Sequence, residues 1–262
     1  MNLKGISGRL SAKRYASPAV LIVAWELVGR LGLVDPFFLP APTRILGSMW
    51  SLVLNGELFR HMSVSLYRSL GGYFLALVLG LGFGVLICWS RRAEDILDPV
   101  FELLRPVSTL GLVPLVIIWF GIGNGSKIAI VLKACFFPIL LNTVAGIKGV
   151  NLKLIHAARS LGASEYQIWT KVIFPAALPV IFTGMRISTA ISMMSIVGVE
   201  MLAADSGLGF MIVDAQRLFD TTRMFVGIIT LSVLGFCMDY AARMLQKRFV
   251  GWHADSLAAG KI

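Results

Sequence analysis

The sequence predicts an all-α membrane protein with six transmembrane helices. Three observations lead to this prediction: 57% of the 262 residues are hydrophobic, only 15% are charged, and the mean hydropathy is +0.81. A soluble domain has about 25% charged residues. Spans joined by short loops leave no room for a second soluble domain, so we expect a single transmembrane domain over residues 1–262. The net charge of +10 is weak support for nucleic-acid binding, because basic residues flanking membrane spans give the same sum.

The first predicted span covers residues 16–34 and follows a basic segment, 1–17, that has no acidic residue. Because the apolar stretch lacks a small-residue cleavage pattern and contains Glu26 and Arg30, it is predicted to be a retained helix and not a signal peptide. Glu26 precedes Arg30 by four residues, a spacing at which the two charges neutralise each other. A substrate contact is the alternative interpretation of this pair.

A proline-rich connection leads to the second span. Three prolines between residues 36 and 42 mark an extended segment, and Thr43 is expected to cap a short helix at the membrane surface. The second span, 69–89, is uncharged and long enough to cross about 30 Å of hydrocarbon. Its glycines allow close approach of another helix, at Gly80, Gly82 and Gly84.

Four further apolar stretches predict the remaining spans, at 106–126, 128–147, 180–203 and 224–243. Pro114 lies at the middle of the third span and is expected to kink it. Lys133 lies within the fourth span, and Arg186 and Glu200 lie within the fifth. Because charges inside a membrane need partners, we expect Glu200 to pair with Lys133 or Arg186.

The distribution of basic residues orients the chain. Six spans place both termini on one side, and the segments of that side hold 14 Lys or Arg residues, at 1–17, 90–96, 147–177 and 243–262. The segments of the other side hold 5, at 36–64, 121–127 and 203–224. By the positive-inside rule the first group is cytoplasmic. Both termini and the segment 147–177 are therefore predicted to lie in the cytosol.

The stretch 151–179 is predicted to form a compact helical hairpin between the fourth and fifth spans. Its first helix carries Leu154, Ala158 and Leu161 at the spacing of one helix face, with polar residues elsewhere, and Gly162 is the expected end. A hairpin of this kind is either a surface loop or a docking element for a partner.

The second helix of the hairpin is predicted to begin with a capping box, in which Ser164 is followed three residues later by Gln167. The helix is expected to end at Pro175. Its apolar face is predicted to consist of Tyr166, Trp169 and Ile173.

The hairpin resembles the EAA loop of type I ABC importer permeases. The pattern of that loop is Glu-Ala-Ala, a Gly six residues after the Glu, an I-x-L-P run and a further Pro. The corresponding positions here are His156, Ala157, Ala158, Gly162, Val172, Phe174, Pro175 and Pro179. His156 departs from the pattern, since the family has Glu there. Two runs and the closing dipeptide look like the branch that imports taurine, alkyl sulfonates, nitrate and similar small oxyanions, at 112–123, 200–210 and Trp252-His253.

This resemblance, which covers roughly residues 60–253, implies a fold and a function. The fold would be a MetI-like bundle with a core over about residues 60–246 and a cytoplasmic coupling helix in the EAA loop, 151–179. The chain would be the transmembrane permease subunit of an ABC importer in the bacterial inner membrane. Its substrate would be a small anionic nutrient such as taurine, an alkyl sulfonate or nitrate.

The resemblance also implies partners. The chain would work as a homodimer with two ABC ATPase subunits, which bind ATP and Mg²⁺, and with an extracytoplasmic solute-binding protein. The residues expected to couple the chain to the ATPase are His156, Ala157, Ala158, Gly162, Ala163, Tyr166, Trp169 and Pro175.

The chain itself carries no sequence pattern for catalysis. It has no GxxxxGK[ST] motif, so it is predicted not to be an enzyme, and ATP hydrolysis is expected on a partner chain. Its three cysteines lie far apart in apolar stretches and are predicted to be small buried hydrophobic residues, and its three histidines are equally scattered. Neither set has the spacing of a metal site.

One face of the fifth span is a candidate surface for the substrate pathway. Serines recur on it at helical spacing, and hydroxyl and amide groups donate to an oxyanion without trapping it. The candidate pathway residues, which include two of the fourth span, are Asn142, Thr143, Ser188, Thr189, Ser192, Ser195 and Glu200. The alternative is that these groups bond to backbone carbonyls and let the helices pack closely.

Two other classes of function remain possible from the sequence alone. An ATP-independent secondary transporter or channel would favour inverted repeats and buried ionisable residues, and we find no internal repeat. A structural membrane scaffold would leave the hairpin unexplained.

Overall fold

The computed structural model describes residues 19–249, and within them every regular element is helical. The helices are α1 (19–30 in its described part), α2 (Pro42–Leu54), α3 (Glu57–Trp89), α4 (Arg91–Leu104), α5 (Val113–Phe120), α6 (Asn124–Lys148), α7 (Leu152–Ser160), α8 (Glu165–Ile168), α9 (Phe174–Ala203), α10 (Leu208–Arg217) and α11 (Thr221–Phe249). A 3₁₀ turn, Leu110–Leu112, precedes α5, and a π turn, Trp169–Ile173, joins α8 to α9. The basic segment 1–17, the start of the first predicted span and Trp252-His253 lie outside the described residues.

Four helical stretches within the described residues are long and apolar enough to cross a membrane: α3, α6, the stretch Glu165–Ala203 that contains α9, and α11. They correspond to the second, fourth, fifth and sixth predicted spans. Helix α3 begins at Glu57 and not at residue 69. The sequence obscured this start because His61, Ser65 and Arg68 are typical of a loop, yet all three are buried here.

The third predicted span is not one continuous helix, and this prediction was wrong. The 3₁₀ turn and α5 together cover Leu110–Phe120, which is about 16 Å of helix and too short for about 30 Å of hydrocarbon. Pro114 lies in the first turn of α5, where its missing N–H removes no hydrogen bond, so it does not kink a helix. Gly121 ends α5 with a positive φ of 73°.

Helix α4 was missed by the sequence analysis. It is capped by Ser90, whose hydroxyl accepts the N–H of Ala93 at 3.5 Å. Four acidic residues between 94 and 102 hid its apolar side, on which Leu97 and Phe101 pack against the core.

The first predicted ion pair is confirmed, and it has a further role. Arg30 Nε donates to Glu26 Oε1 at 2.5 Å. Glu26 also accepts hydrogen bonds from the backbone N–H and the hydroxyl of Thr43, at 3.0 and 2.8 Å. The prediction that Thr43 caps α2 was therefore wrong. Instead, a carboxylate of α1 binds the first turn of α2, which begins at Pro42.

Helix α6 lies between α3 and α9 at the centre of the bundle. The three helices share a core that includes Ala76 of α3, Cys135 and Ile139 of α6, and Ile196 of α9. Glycines of α3 permit the close contact, as predicted for two of the three positions. A Cβ atom at Gly84 would lie 2.7 Å from Thr143, and one at Gly80 would lie 2.9 Å from Ile139.

Two smaller cores lie at the opposite ends of α3. At the end where α3 begins, α2, α10 and the start of α11 pack together around Ile45, Met211 and Val226. At the end where α3 stops, the hairpin packs against it, and the rings of Trp89 and Trp169 lie 4.9 Å apart. The hairpin and α10 therefore occupy opposite ends of the bundle.

Replacement of Gly84 by valine should destabilise the protein by about 1–3 kcal/mol, because the added atoms overlap Thr143 of α6. Thermal unfolding in mild detergent measures the change. Gly82→Val on the same helix is the control, since nothing lies within 4 Å of a Cβ there. Equal losses in the two variants would contradict the close contact between α3 and α6.

Candidate functional site

The first helix of the hairpin is closed at both ends. The side chain of Asn151 accepts the N–H of Lys153 at 2.9 Å and caps α7. At the other end Gly162 has a φ of 78°, which an L-residue adopts only with strain, and its N–H donates to the carbonyl of Arg159 at 3.0 Å. The predicted end of this helix at Gly162 is confirmed, with the last helical residue at Ser160.

The second helix of the hairpin begins as predicted and ends differently. The capping box is present: the Ser164 hydroxyl accepts the N–H of Gln167, and the Gln167 side chain accepts the N–H of Ser164. The chain does not leave the helix at Pro175. It passes through the π turn directly into α9, whose first turn contains Pro175. The hairpin is thus continuous with a spanning helix.

The hairpin is fixed to the bundle by one apolar side. Ile168 and Ile173 are buried, and Ile155, Ala158 and Trp169 pack against the same cluster. This corrects both predicted apolar faces, because Leu154, Leu161 and Tyr166 point away from the cluster and are exposed. A salt bridge of 2.7 Å between Arg159 and Glu165 also ties α7 to α8.

The structure divides the eight predicted coupling residues into two groups. Four are exposed at the tip: His156, Ala157, Gly162 and Tyr166. The other four are partly buried toward the bundle: Ala158, Ala163, Trp169 and Pro175.

The sequence analysis missed the feature that makes the tip apolar. Leu161 is 87% exposed, Tyr166 is 71% exposed, and Leu152 and Leu154 also face outward on the hairpin. The sequence does contain an indication of this tip, because these large apolar residues lie beside a helix end. Periodicity alone nevertheless assigned Leu154 and Leu161 to the packed side. Clustered exposed apolar side chains are typical of a contact with another protein.

Most of the predicted pathway residues are buried in the described chain. Thr143, Ser188, Thr189, Ser192 and Glu200 are buried, whereas Asn142 and Ser195 are partly exposed. The Ser188 hydroxyl donates across to the carbonyl of Cys135 at 3.1 Å, and Ser69 of α3 donates to Ser192 at 3.1 Å. The hydroxyls of Thr143, Thr189 and Ser192 donate to carbonyls of their own helices. All four buried hydroxyl donors are thus used within the chain, which favours the packing alternative for these residues.

A buried ion pair lies at the end of the bundle opposite the hairpin. Arg68 Nη1 of α3 donates to Glu200 Oε1 of α9 at 3.0 Å, and both side chains are almost fully buried. Arg68 also donates to the side chain of Asn124 and to the carbonyl and hydroxyl of Ser206. Glu200 accepts from the Ser65 hydroxyl and from the N–H of Gly209.

The partners expected for Glu200 were therefore wrong. Lys133 donates to the carbonyl of Val107 and to the hydroxyl of Thr109, and Arg186 binds Asp239. The true partner, Arg68, lies 132 residues earlier, beyond the reach of any spacing argument.

The loop between α9 and α10 completes this network. Gly207 has a φ of 113°, and a side chain there would overlap the Glu200 carboxylate. Its N–H donates to His61 Nδ1 at 3.1 Å. In the same loop, the hydrogen bond from the Ser206 hydroxyl holds the pKa of Asp205 below its usual value.

The scattered cysteines and histidines remain apart in space. No group of three or more metal-ligating side chains occurs within residues 19–249. Cys135 is buried and Cys88 is partly buried, but Cys237 is exposed in this single chain, so the prediction of three buried cysteines was wrong for Cys237.

These features define a multi-span membrane protein that presents a rigid hairpin, continuous with a spanning helix, at one end. Comparison with known proteins identifies its class. The family described as the inner membrane component of binding-protein-dependent transport systems matches residues 56–251. The chain therefore belongs to this family. It is the permease subunit of an ABC importer and a multi-pass inner-membrane protein, and subunits of this kind are not themselves ATPases. This assignment rules out the ATP-independent alternative.

Two relatives and one solved structure agree with the assignment. The aliphatic sulfonates transport permease SsuC of Bacillus subtilis is 39% identical over 257 residues, which cover 96% of this chain and 93% of the relative. The taurine transport permease TauC of Escherichia coli is 38% identical over 242 residues, which cover 90% and 88%. The inward-facing MetNI methionine ABC transporter has a chain with a TM-score of 0.62 at 20% identity, over 78% of this chain and 98% of that chain. This last likeness supports the fold alone.

Replacement of Gly162 by alanine should loosen the hairpin by about 1–2 kcal/mol, because the positive φ disfavours any L-residue although open space surrounds the position. Faster hydrogen exchange in α7 and α8 and lower substrate uptake are expected, with membrane insertion retained. Gly47→Ala in α2 is the control, since its Cβ also meets nothing and its φ is not positive. Unchanged exchange and uptake in the Gly162 variant would contradict a role for this turn.

Replacement of Arg68 by leucine should destabilise the protein by about 3–5 kcal/mol, because Glu200 is left buried without its counter-ion. A second change, Glu200→Leu, should restore part of the loss. Arg159→Leu, which breaks an exposed ion pair, should cost at most about 1 kcal/mol. Thermal unfolding in detergent measures the stability of all three variants. A loss of stability in Arg68→Leu no larger than that in Arg159→Leu would contradict a stabilising role for the buried ion pair.

Proposed function

We propose that this permease imports a small organic anion of the sulfonate class, driven by an ABC ATPase that docks on the hairpin 151–179. The observation that carries the docking proposal is the exposed apolar tip, in which Leu161 and Tyr166 project from a hairpin whose opposite side is packed on the bundle. An apolar knob on a rigid base suits insertion into a groove of a partner. His156 and Ala157, exposed beside it, would contact the same partner.

The relatives support the substrate class. Permeases named for aliphatic sulfonates and for taurine match this chain at 39% and 38% identity over most of its length. Taurine and alkyl sulfonates share a sulfonate head on a short carbon chain, and this shared group is the part we propose that the importer handles. Nitrate stays within the predicted range of small oxyanions.

The assembly is proposed to be a homodimer with both termini in the cytosol. The excess of basic residues in the segments predicted to lie on the same side as the hairpin supports this orientation. The orientation puts α10 and the Ser206 loop on the outer face, toward the solute-binding protein. The full count of six spans, with the domain extending over residues 1–262, would include α1 and the broken segment α4–α5.

The hairpin would transmit movement directly to the spans. Because α8 runs through the π turn into α9, a displacement of the hairpin by the ATPase would move α9 without a flexible joint between them. This is the two-state element that nucleotide binding would bias. Ala158, Ala163, Trp169 and Pro175 would serve as the base that keeps the tip in place.

Two of the seven predicted pathway residues are proposed to contact substrate. Asn142 and Ser195 retain exposed surface, whereas the other five would position α9 against α3 and α6. The five are Thr143, Ser188, Thr189, Ser192 and Glu200.

Replacement of Leu161 by aspartate should reduce ATP-dependent uptake at least tenfold and weaken co-purification of the ATPase, because a charge replaces the most exposed apolar side chain of the tip. Leu161→Met is the matched control and should retain most of the uptake. Radiolabelled uptake into vesicles and the ATPase stoichiometry after purification in mild detergent are the measurements. Normal coupling in the aspartate variant would rule out docking at this tip.

A further inference from the structure

The broken segment α4–α5 crosses the bundle alongside α6 and in the opposite direction. Near the start of α4, Glu94 forms an ion pair with Lys148, the last residue of α6, at the hairpin end of the bundle. Two turns later the ring of Phe101 lies 5.4 Å from that of Phe136, the middle residue of α6. The last turn of α4 therefore lies near the middle of the depth of the bundle.

Arg105, the residue that follows α4, is held at this depth by contacts on either side of it. Phe101 lies one turn before Arg105, and Val107 lies two residues after it. The carbonyl of Val107 accepts a hydrogen bond from Lys133, which is one turn of α6 away from Phe136. Because half of the hydrocarbon is about 15 Å thick, the side chain of Arg105 is too short to carry its charge from this depth to the lipid head groups.

Three charged residues share one side of the second half of α4. Asp98, Glu102 and Arg105 line a cleft of about 220 Å³ between α4 and α6, and all three are exposed in the single chain. Among residues 19–249, none of the three forms an ion pair. At 100° per residue, the opposite side of α4 carries exposed apolar residues, namely Ile96, Val100 and Leu103. The helix thus separates a charged surface from an apolar one.

The charged side of α4 requires water. Charged groups at the middle of a membrane are strongly disfavoured against hydrocarbon, and they face a bundle interior or a water-filled cavity. A second copy of the chain packed over this side would have to bury three charges, and the loss of hydration costs several kcal/mol for each ion. A water-filled path along this side of α4 leaves the charges hydrated.

We propose that the charged side of α4 lines the transport path at mid-membrane, and that Arg105 contacts the anionic head of the transported molecule there. This inference rests on the proposed function and deepens it. A guanidinium group donates two parallel hydrogen bonds to the oxygens of an anion such as a sulfonate. Glu102, one turn earlier, competes for the same guanidinium, so the contact is weak enough for release. An apolar cavity of about 470 Å³ shares Phe101 and Phe137 with the cleft and offers room for a short carbon chain.

A cysteine scan along α4 tests whether its charged side is in water. The three native cysteines are replaced by alanine, one cysteine is introduced into the full chain at a time, and the assembled transporter in phosphatidylcholine nanodiscs is treated with 2-sulfonatoethyl methanethiosulfonate. Asp98→Cys and Glu102→Cys should react. The apolar-side variants should react at least about tenfold more slowly, because the reacting thiolate does not form in hydrocarbon. They are Ile96→Cys, Val100→Cys and Leu103→Cys.

Two outcomes of the scan would overturn the proposal. Cysteines that fail to react on the charged side would show that a second copy covers it. Equal reaction on both sides would place α4 outside the hydrocarbon.

A reporter on α6 tests the charge of Arg105. Leu141 is 43% exposed and lines the same cleft, so the modification rates of Leu141→Cys by the sulfonate reagent and by its trimethylammonium analogue are compared as a ratio. Arg105→Gln should lower this ratio about fivefold, because removal of one charge about 8 Å away through water changes each rate about twofold in opposite directions. Glu102→Gln should raise the ratio by a similar factor, and Arg105→Lys should retain it. Arg248→Gln at the end of α11 is the control.

An unchanged ratio in Arg105→Gln would overturn the proposal, since the guanidinium would then not face the path. Phosphatidylglycerol in the nanodiscs should leave the wild-type ratio as it is in phosphatidylcholine. A ratio that collapses when this anionic lipid is added would assign Arg105 to lipid head groups and contradict its depth.

Uptake separates a substrate contact from a structural role. With radiolabelled taurine and ethanesulfonate as probes, Arg105→Gln should lower the maximal uptake rate about tenfold, because a charged hydrogen bond to the anion is lost. ATPase stimulation by the solute-binding protein should be retained, and Arg105→Lys should restore most of the uptake. Equal loss of uptake and ATPase stimulation, or normal uptake in Arg105→Gln, would overturn the contact. Failure of the unmutated chain to import either probe would reject the proposed function, while the scan and the rate ratio still report on α4.

Discussion

The constraint on which the structure depends is that hydrocarbon offers no hydrogen bonds, so polar groups within the bundle must be satisfied by the chain itself. The Arg68–Glu200 pair shows the consequence most clearly. Its hydrogen bonds extend to Ser65, to Asn124 at the start of α6 and to Ser206 in the loop before α10. One buried pair thus fixes α3, α6, α9 and α10 at one end of the molecule, and no single member can move without leaving a buried charge unpaired.

The same constraint explains the two lysines of α6. The chain is irregular between α4 and α5 and again between α5 and α6, and its carbonyls there lack helical partners. Lys133 donates to the carbonyl of Val107 in the first irregular segment, and Lys127 donates to that of Ile122 in the second. Two charges that look functional in an apolar sequence therefore replace missing backbone hydrogen bonds, and they allow α5 to be short.

The elements that the sequence predicted well are those with local physical causes. Long apolar runs predicted α3, α6, α9 and α11, and the capping box and Gly162 predicted the shape of the hairpin, because each signal lies within a few residues. The failures have the opposite character. The first turns of α3 look like a loop because their polar residues bind partners more than 130 residues away, and Glu200 was assigned the wrong partner for the same reason. Which side of α7 is packed depends on a cluster that includes Ile147 of α6 and Ile181 of α9, so periodicity could not tell Leu161 from Ala158.

The two ends of α9 constrain how a force on the hairpin would act. At one end Glu200 holds the helix to α3 through Arg68, and at the other the π turn joins it to a hairpin packed on Trp89. A helix held in this way has no loose end to absorb a displacement, so movement of the hairpin would tilt α9 as a unit against its less tightly packed neighbour, α11. The contact that such a tilt would open or close includes the ion pair between Arg186 of α9 and Asp239 of α11.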